Sequence, residues 1–222
     1  MRNEHHISVA RTARYYTLGT PSSQITDVWF VCHGYAQLAL DFLKEFEVIE
    51  EPNRLIVAPE ALSRFYVPAV TGFHGPEASI GATWMTREDR KVEIADYVAY
   101  LDHLYEEVFR QVPRDNVSVT VVGFSQGGAT ANRWLTHGKA RADRLLMWGC
   151  LLASDSDLNQ AATFFKDVEL SIVYGKRDKF ADTGMIADYE KQLQENSIPY
   201  KLTTFDGGHR MDRETLRRLA VD

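Results

Sequence analysis

Three features of the sequence predict an α/β fold with a mostly parallel, doubly wound sheet and an antiparallel edge on its N-terminal side. Five short runs are almost wholly apolar, helix-period patterns lie between them, and glycine-bearing polar clusters fall just after several of the runs. A strand that is apolar on both faces belongs in a sheet covered by helices on both sides. Strands alternating with helices join by right-handed crossovers, which brings their carboxyl ends to one edge, where sites in such sheets lie.

The elements follow in chain order. His6 to Ala10 and Arg14 to Leu18 alternate in character around Arg11-Thr12-Ala13, which predicts an antiparallel pair at a sheet edge. The buried strands are Val28 to Cys32, Leu55 to Ala58, Val119 to Val122, Leu145 to Trp148 and Leu170 to Tyr174, with Tyr200 to Phe205 as the last. From Glu88 to Gln111, residues Ile94, Tyr97, Val98, Leu101, Leu104, Tyr105 and Val108 recur at three- and four-residue steps, the apolar stripe of a long helix. Further helices are predicted from Gln126 to His137, Ala181 to Asn196 and Met211 to Leu219. Pro59 to Met85 reads as a long irregular segment, rich in aromatics and glycine as a substrate-facing loop often is.

A chain of 222 residues, 45% of them hydrophobic, suits one domain spanning 1–222. Its net charge of -6 gives no general attraction for nucleic acid or anionic lipid. Cys32 and Cys150 have no zinc or redox spacing and read as buried thiols. The opening Met1 to His6 lacks the apolar stretch of a signal peptide and no run is long enough to span a bilayer, so a cytoplasmic location without membrane insertion is expected.

Gly123-Phe124-Ser125-Gln126-Gly127 matches G-x-S-x-G and stands between a strand and a helix, where a sharp turn would expose the Ser125 hydroxyl. By composition about one unrelated chain in fifteen of this length carries the bare pattern. Its placement and the additional Gly128 give it weight. A phosphate-binding turn would end in Lys-Ser or Lys-Thr, whereas Gly128 is followed by Ala129-Thr130. A serine nucleophile needs a histidine base held by a carboxylate, and donors for the developing oxyanion. His209, after Gly207-Gly208 and the last strand, is the candidate base. Asp178, at the mouth of the strand ending at Tyr174, is the candidate acid, with Asp182 and Asp206 as rivals. The N–H groups of Gln126 and Tyr35 are the candidate oxyanion donors, and His33 is expected to brace its loop rather than act as a base.

His33-Gly34 after a buried strand, the run Gly-Phe-Ser-Gln-Gly-Gly, then Asp178 and His209 in that order resemble the phospholipase/carboxylesterase family of α/β-hydrolases, which includes acyl-protein thioesterases. The resemblance implies cleavage of carboxylic esters or thioesters through an acyl-serine, with no metal or organic cofactor. It carries Ser125, Asp178 and His209 over as the triad, and Tyr35 and Gln126 as the oxyanion hole. Trp84 resembles a tryptophan that family members carry before the corresponding helix, although an aromatic core plug is an equal reading. Trp84, Phe65 and Phe73 are the candidate substrate-wall residues, and Arg64 is expected to pair with Glu60. Tyr35-Ala36-Gln37 stands where the family often has Leu-Gly-Asp, and Met85-Thr86 where it has Phe-Asp, on the substrate side. With no long insertion before the final strand, no large lid and a preference for small to medium esters are expected. A thioesterase or acyltransferase on the same triad, an inactive ligand-binding protein of the same fold, and the oligomeric state stay open.

Overall fold

The computed structural model describes residues 1–67, 78–153, 155–181 and 183–221. Its strands are β1 (Tyr15–Leu18), β2 (Asp27–Cys32), β3 (Arg54–Pro59), β4 (Ser63–Tyr66), β5 (Ile80–Thr83), β6 (Ser118–Phe124), β7 (Arg144–Trp148), β8 (Glu169–Gly175) and β9 (Lys201–Phe205). The helices are α1 (Ala39–Leu43), α2 (Arg90–Gln111), α3 (Gln126–His137), α4 (Leu158–Phe164), α5 (Thr183–Glu195) and α6 (Arg213–Leu219), with a 3-10 segment at Lys44–Ile49 after α1. Seven strands form one sheet in the order β1-β3-β2-β6-β7-β8-β9, parallel except for β1. Among the described residues no helix is long and apolar enough to cross a membrane.

Period-two alternation explains why the strands are apolar throughout. On β2, Val28, Phe30 and Cys32 enter one core while Trp29 and Val31 enter the other. The first core takes Tyr97 and Leu101 of α2, Trp134 of α3, Ala161 of α4 and Leu193 of α5. The second takes Phe42, Phe46 and Ile49 from α1 and the 3-10 segment, and Leu216 and Leu219 from α6. Helices thus cover both faces, as a doubly wound sheet requires.

The N-terminal edge differs from expectation. His6 to Ala10 forms no strand, and Ile7 and Val9 are exposed. Tyr15–Leu18 pairs instead with β3, from Tyr15 opposite Pro59 to Leu18 opposite Ile56. That register packs Tyr16 and Leu18 against the second core and takes the edge of β3, whereas Ile7 and Val9, which share a face of the first run, stay exposed. The 59–85 segment is also more ordered than its composition suggests. β4 and β5 pair antiparallel within it, and Gln37 bridges to Ala82 of β5. Residues 68–77, with Phe73 among them, lie outside the described residues.

α1 and α4 are short additions that the sequence does signal. Phe42, Phe46 and Ile49 keep a helical step, and Asp157 caps α4 by accepting the Asn159 and Gln160 N–H groups at 2.9 and 3.2 Å.

A buried carboxylate anchors the edge strand to the loops. Glu60, 1% exposed, accepts from Arg14 Nε at 2.6 Å, from Arg64 Nη1 at 2.9 Å and from the Ala39 N–H at 3.3 Å. Burial pushes its carboxyl up, but the Arg14 hydrogen bond and charge, with Ala39 and Arg64, outweigh that and hold it below 4.5. The folded protein therefore binds this proton less readily than the unfolded chain, so the stabilisation is present above pH 4.5 and fades as pH falls through the lower folded value. Chemical denaturation should show Glu60→Gln less stable than wild type at pH 7 by about 1–3 kcal/mol, with the gap narrowing below pH 4.5. A gap that stays constant with pH would refute this account of Glu60.

Candidate active site

β6 runs out at Phe124 and α3 begins at Gln126, leaving Ser125 alone to make the reversal. It does so at φ 52° and ψ −119°, a left-handed conformation that costs a side-chain-bearing residue on the order of 1–3 kcal/mol. Two backbone bonds hold it there. Its N–H donates to the Trp148 carbonyl at 2.9 Å, and its carbonyl accepts the Gly128 N–H at 2.9 Å.

Packing dictates the glycines around it. A Cβ on Gly127 would lie 2.1 Å from the Cys32 carbonyl oxygen, because α3 starts directly beneath the end of β2. One on Gly128 would lie 1.9 Å from Cys150 Sγ. Burial pushes the Cys150 and Cys32 thiols up to about 12, so neither is a thiolate nucleophile at neutral pH.

Two strands away, the paired ends of β8 and β9 bring His209 to Asp178. The register continues past the strands. Lys176 donates its N–H to Phe205 at 2.9 Å, Arg177 to Gly207 at 2.8 Å, and Asp178 closes a turn onto Gly175 at 2.9 Å. The result is a 2.8 Å contact between His209 Nδ1 and Asp178 Oδ2, with Asp178 5% exposed. The other oxygen, Oδ1, accepts the Phe180 N–H at 2.9 Å. The imidazole sits between the rings of Phe124 and Phe180, each 4.8 Å away by centroids. Phe124 precedes Ser125, so this contact seats His209 at the turn. Of the rival acids, Asp206 is exposed and pairs with Arg177, and Asp182 lies outside the described residues.

The loop after β2 is fixed from several sides. His33 is fully buried; its Nδ1 meets the Gly34 carbonyl at 2.8 Å and its Nε2 accepts the Ala61 N–H at 3.0 Å. Nδ1 therefore carries the proton. Burial lowers the His33 pKa, and with both nitrogens engaged it is a brace and not a base. Gln37 turns its Oε1 onto the Gly34 N–H at 2.7 Å, and Ala36 donates to Ala82 at 2.9 Å. The Tyr35 N–H between them has no acceptor among the described residues, and the Gln126 N–H, first in α3, has no intrahelical acceptor. These two donors are available to a ligand.

The Gln126 side chain links the turn to the end of β5. Its Nε2 donates to the Met85 carbonyl at 2.8 Å, and its Oε1 accepts the Trp84 N–H at 3.1 Å. Trp84 is 3% exposed, and its Nε1 donates to the His33 carbonyl at 2.8 Å. The indole thus lies behind the loop. Phe65 lies tilted against Tyr35 with ring centroids 5.3 Å apart, Tyr35 is exposed, and Arg64 pairs with Glu60 as its spacing suggests. Gln37, Phe124 and Phe180 are additions to the residues singled out by sequence. Phe180 had a usable signal in standing two residues past the acid candidate, whereas the Gln37 contact is legible only in the folded loop.

A family model described as Phospholipase/Carboxylesterase matches residues 20–221. The chain belongs to the phospholipase/carboxylesterase family. No curated protein matches the sequence significantly. Among solved structures, the Zea mays acyl-protein thioesterase 2 is similar with a TM-score of 0.69 at 18% identity, over 95% of this chain and 97% of that one. A Bacillus cereus carboxylesterase gives 0.64 at 12% identity over 94% and 92%, and a phospholipase/carboxylesterase from Dyadobacter fermentans gives 0.64 at 15% over 97% and 99%. At these identities the structural likeness establishes the α/β-hydrolase fold, and the family match establishes an esterase- or thioesterase-type hydrolase family.

The Gly128 contact gives a direct test of the turn. Gly128→Ala should destabilise the protein by about 1–3 kcal/mol through overpacking against Cys150. Cys150→Ala combined with it should recover a large part of that loss, because the clashing Sγ is gone while the Cβ stays 3.2 Å away. Additive losses in thermal denaturation would show that the clash is not the constraint.

Proposed function

We propose that the protein is a serine carboxylesterase that hydrolyses small to medium carboxylic esters through an acyl-serine intermediate. The reading is carried by one observation. Ser125 on its reversal, two N–H groups without acceptors among the described residues and the 2.8 Å His209–Asp178 contact lie at one edge of the sheet. Asp178 engages Nδ1 and so leaves Nε2 of His209 as the nitrogen that exchanges protons.

In this mechanism Ser125 Oγ attacks the ester carbonyl while His209 Nε2 takes its proton. The carbonyl oxygen, now negative, accepts hydrogen bonds from the Tyr35 and Gln126 N–H groups. Collapse breaks the bond to the alcohol oxygen, which leaves with the proton from His209. Water then repeats the sequence on the acyl-serine and releases the acid. Asp178 stabilises the imidazolium in both halves, and Phe124 and Phe180 keep the ring in place. Tyr35 and Phe65 supply an aromatic wall for an apolar acyl group, and Phe73 stays with them on sequence grounds. Trp84 is assigned to positioning the loop. A thioester would pass through the same steps, and matched oxygen and sulfur esters decide between them. The cytoplasm is the proposed compartment, in keeping with two unpaired cysteines.

A fluorophosphonate probe at neutral pH should label the wild type and fail to label Ser125→Ala or His209→Ala. Labelling retained in Ser125→Ala would remove the nucleophile assignment, and absence of labelling in the wild type would favour an inactive binding protein. Asp178→Asn should lower kcat by about three to four orders of magnitude with little change in KM, by holding the imidazole in the wrong tautomer. Full activity in that variant would assign the acid to another carboxylate.

A further inference from the structure

We infer that the alcohol portion of the substrate is polar and rich in hydrogen-bond acceptors, and that it docks in the cavity between His209 and the exposed face of α6. The inference rests on the triad reading above. A cavity of about 560 Å³ opens beside Phe124 and His209 and extends past Gln37 to Arg210, Arg213 and Arg217. The position follows from the chemistry. His209 must hand its proton to the departing alcohol oxygen, so the space adjoining the imidazole receives that group.

The wall of this cavity is unlike the aromatic pair formed by Tyr35 and Phe65. It carries three arginines against Glu45, Asp212 and Glu214, but two of those acids are already engaged. Glu45 accepts from Arg213 at 3.0 Å. Asp212 caps α6, accepting the Thr215 N–H at 3.1 Å and its hydroxyl at 2.8 Å, and meets Arg210 at 3.3 Å.

Beyond these pairs the wall keeps free donors, beside one carboxylate, Glu214, that has no partner among the described residues. Among the described residues the Arg217 guanidinium has no side-chain or carbonyl partner, and Gln37 spends its Oε1 on Gly34 while its Nε2 has no acceptor. Arg210 meets Asp212, donates to the Met211 carbonyl at 3.2 Å and lies over the Phe205 ring at 5.7 Å from its centroid. The local sequence has the same bias, since residues 210–218 hold four arginines and two acids in a chain of net charge -6. An alkyl alcohol entering here would desolvate these donors without satisfying them, whereas carboxylate, phosphate or polyol oxygens would accept from them.

The test uses three butyryl esters, of glycolate, glycerol and hexanol, with each kcat/KM divided by the rate of alkaline hydrolysis of the same ester to remove intrinsic reactivity. The wild type should favour the glycolate and glyceryl esters over the hexyl ester. In Arg217→Glu, an exposed position on α6, the glycolate-to-hexyl ratio should fall by about three- to tenfold, the size expected for reversing one solvent-exposed charge. A normalised preference for the hexyl ester, or a ratio unmoved in Arg217→Glu, would overturn the inference while leaving the triad reading standing. Turnover that survives Ser125→Ala would overturn the triad reading instead.

Discussion

The reversal of the chain at Ser125 is the constraint to which the rest of the site is fitted. A side-chain-bearing residue at φ 52° is unfavourable on its own, and it persists because its surroundings leave it no alternative. β6 is pinned between β2 and β7 by parallel pairing on both sides, so its exit point is set by the sheet. α3 must then start beneath β2, close enough that only glycine fits at 127. The cost is local, and the packing that offsets it is spread over the start of α3, where Gly127, Gly128 and Thr130 are buried. Stability and exposure of the hydroxyl therefore come from different parts of the fold.

Two separate clamps are built against that turn. On one side His33, Gln37, Trp84 and Gln126 form a set of bonds from the end of β2 to the end of β5, leaving the Tyr35 N–H without an acceptor among the described residues. On the other, β8 and β9 carry Asp178 and His209 together, with Phe124 and Phe180 against the imidazole. The clamps share the β6–α3 reversal. A defect in the first would misplace donors and leave the His209–Asp178 contact intact, and a defect in the second would do the reverse. Under the proposed mechanism the two kinds of damage are separable in kinetics, because one would remove oxyanion stabilisation and the other proton transfer.

Elements whose identity is fixed by local apolar period were legible in the sequence. The strands β2, β3, β6, β7, β8 and β9 and the helices α2, α3, α5 and α6 lie where the runs and stripes place them, within a few residues at their ends. The strand-end clusters were legible for the same reason, since glycine and polar residues after an apolar run mark where a covered strand emerges. What failed was pairing. His6 to Ala10 and Tyr15 to Leu18 both alternate, and nothing local says that only the second meets the free edge of β3 and the second core. The β4–β5 hairpin was hidden because its strands are four residues each and are separated by a long connection. Within the site, Gln37 was illegible because its contact to Gly34 depends on the left-handed Ala36 between them.

The same logic separates what a family match transfers from what it leaves to the individual chain. The sheet, the reversal and the paired ends of β8 and β9 are set by backbone register, which survives at 12–18% identity to the similar structures because many apolar side chains can fill the same two cores. The walls beyond the reacting atoms are set by side chains that take no part in that register. Tyr35 and Phe65 on one side, and Arg210, Arg213 and Arg217 on the other, could each change without moving Ser125 or His209. If the proposed acyl and alcohol walls hold, the two preferences can drift independently of each other and of the chemistry. Under the proposed mechanism the composition of these two walls, rather than the motif, is what would set the substrate of this chain.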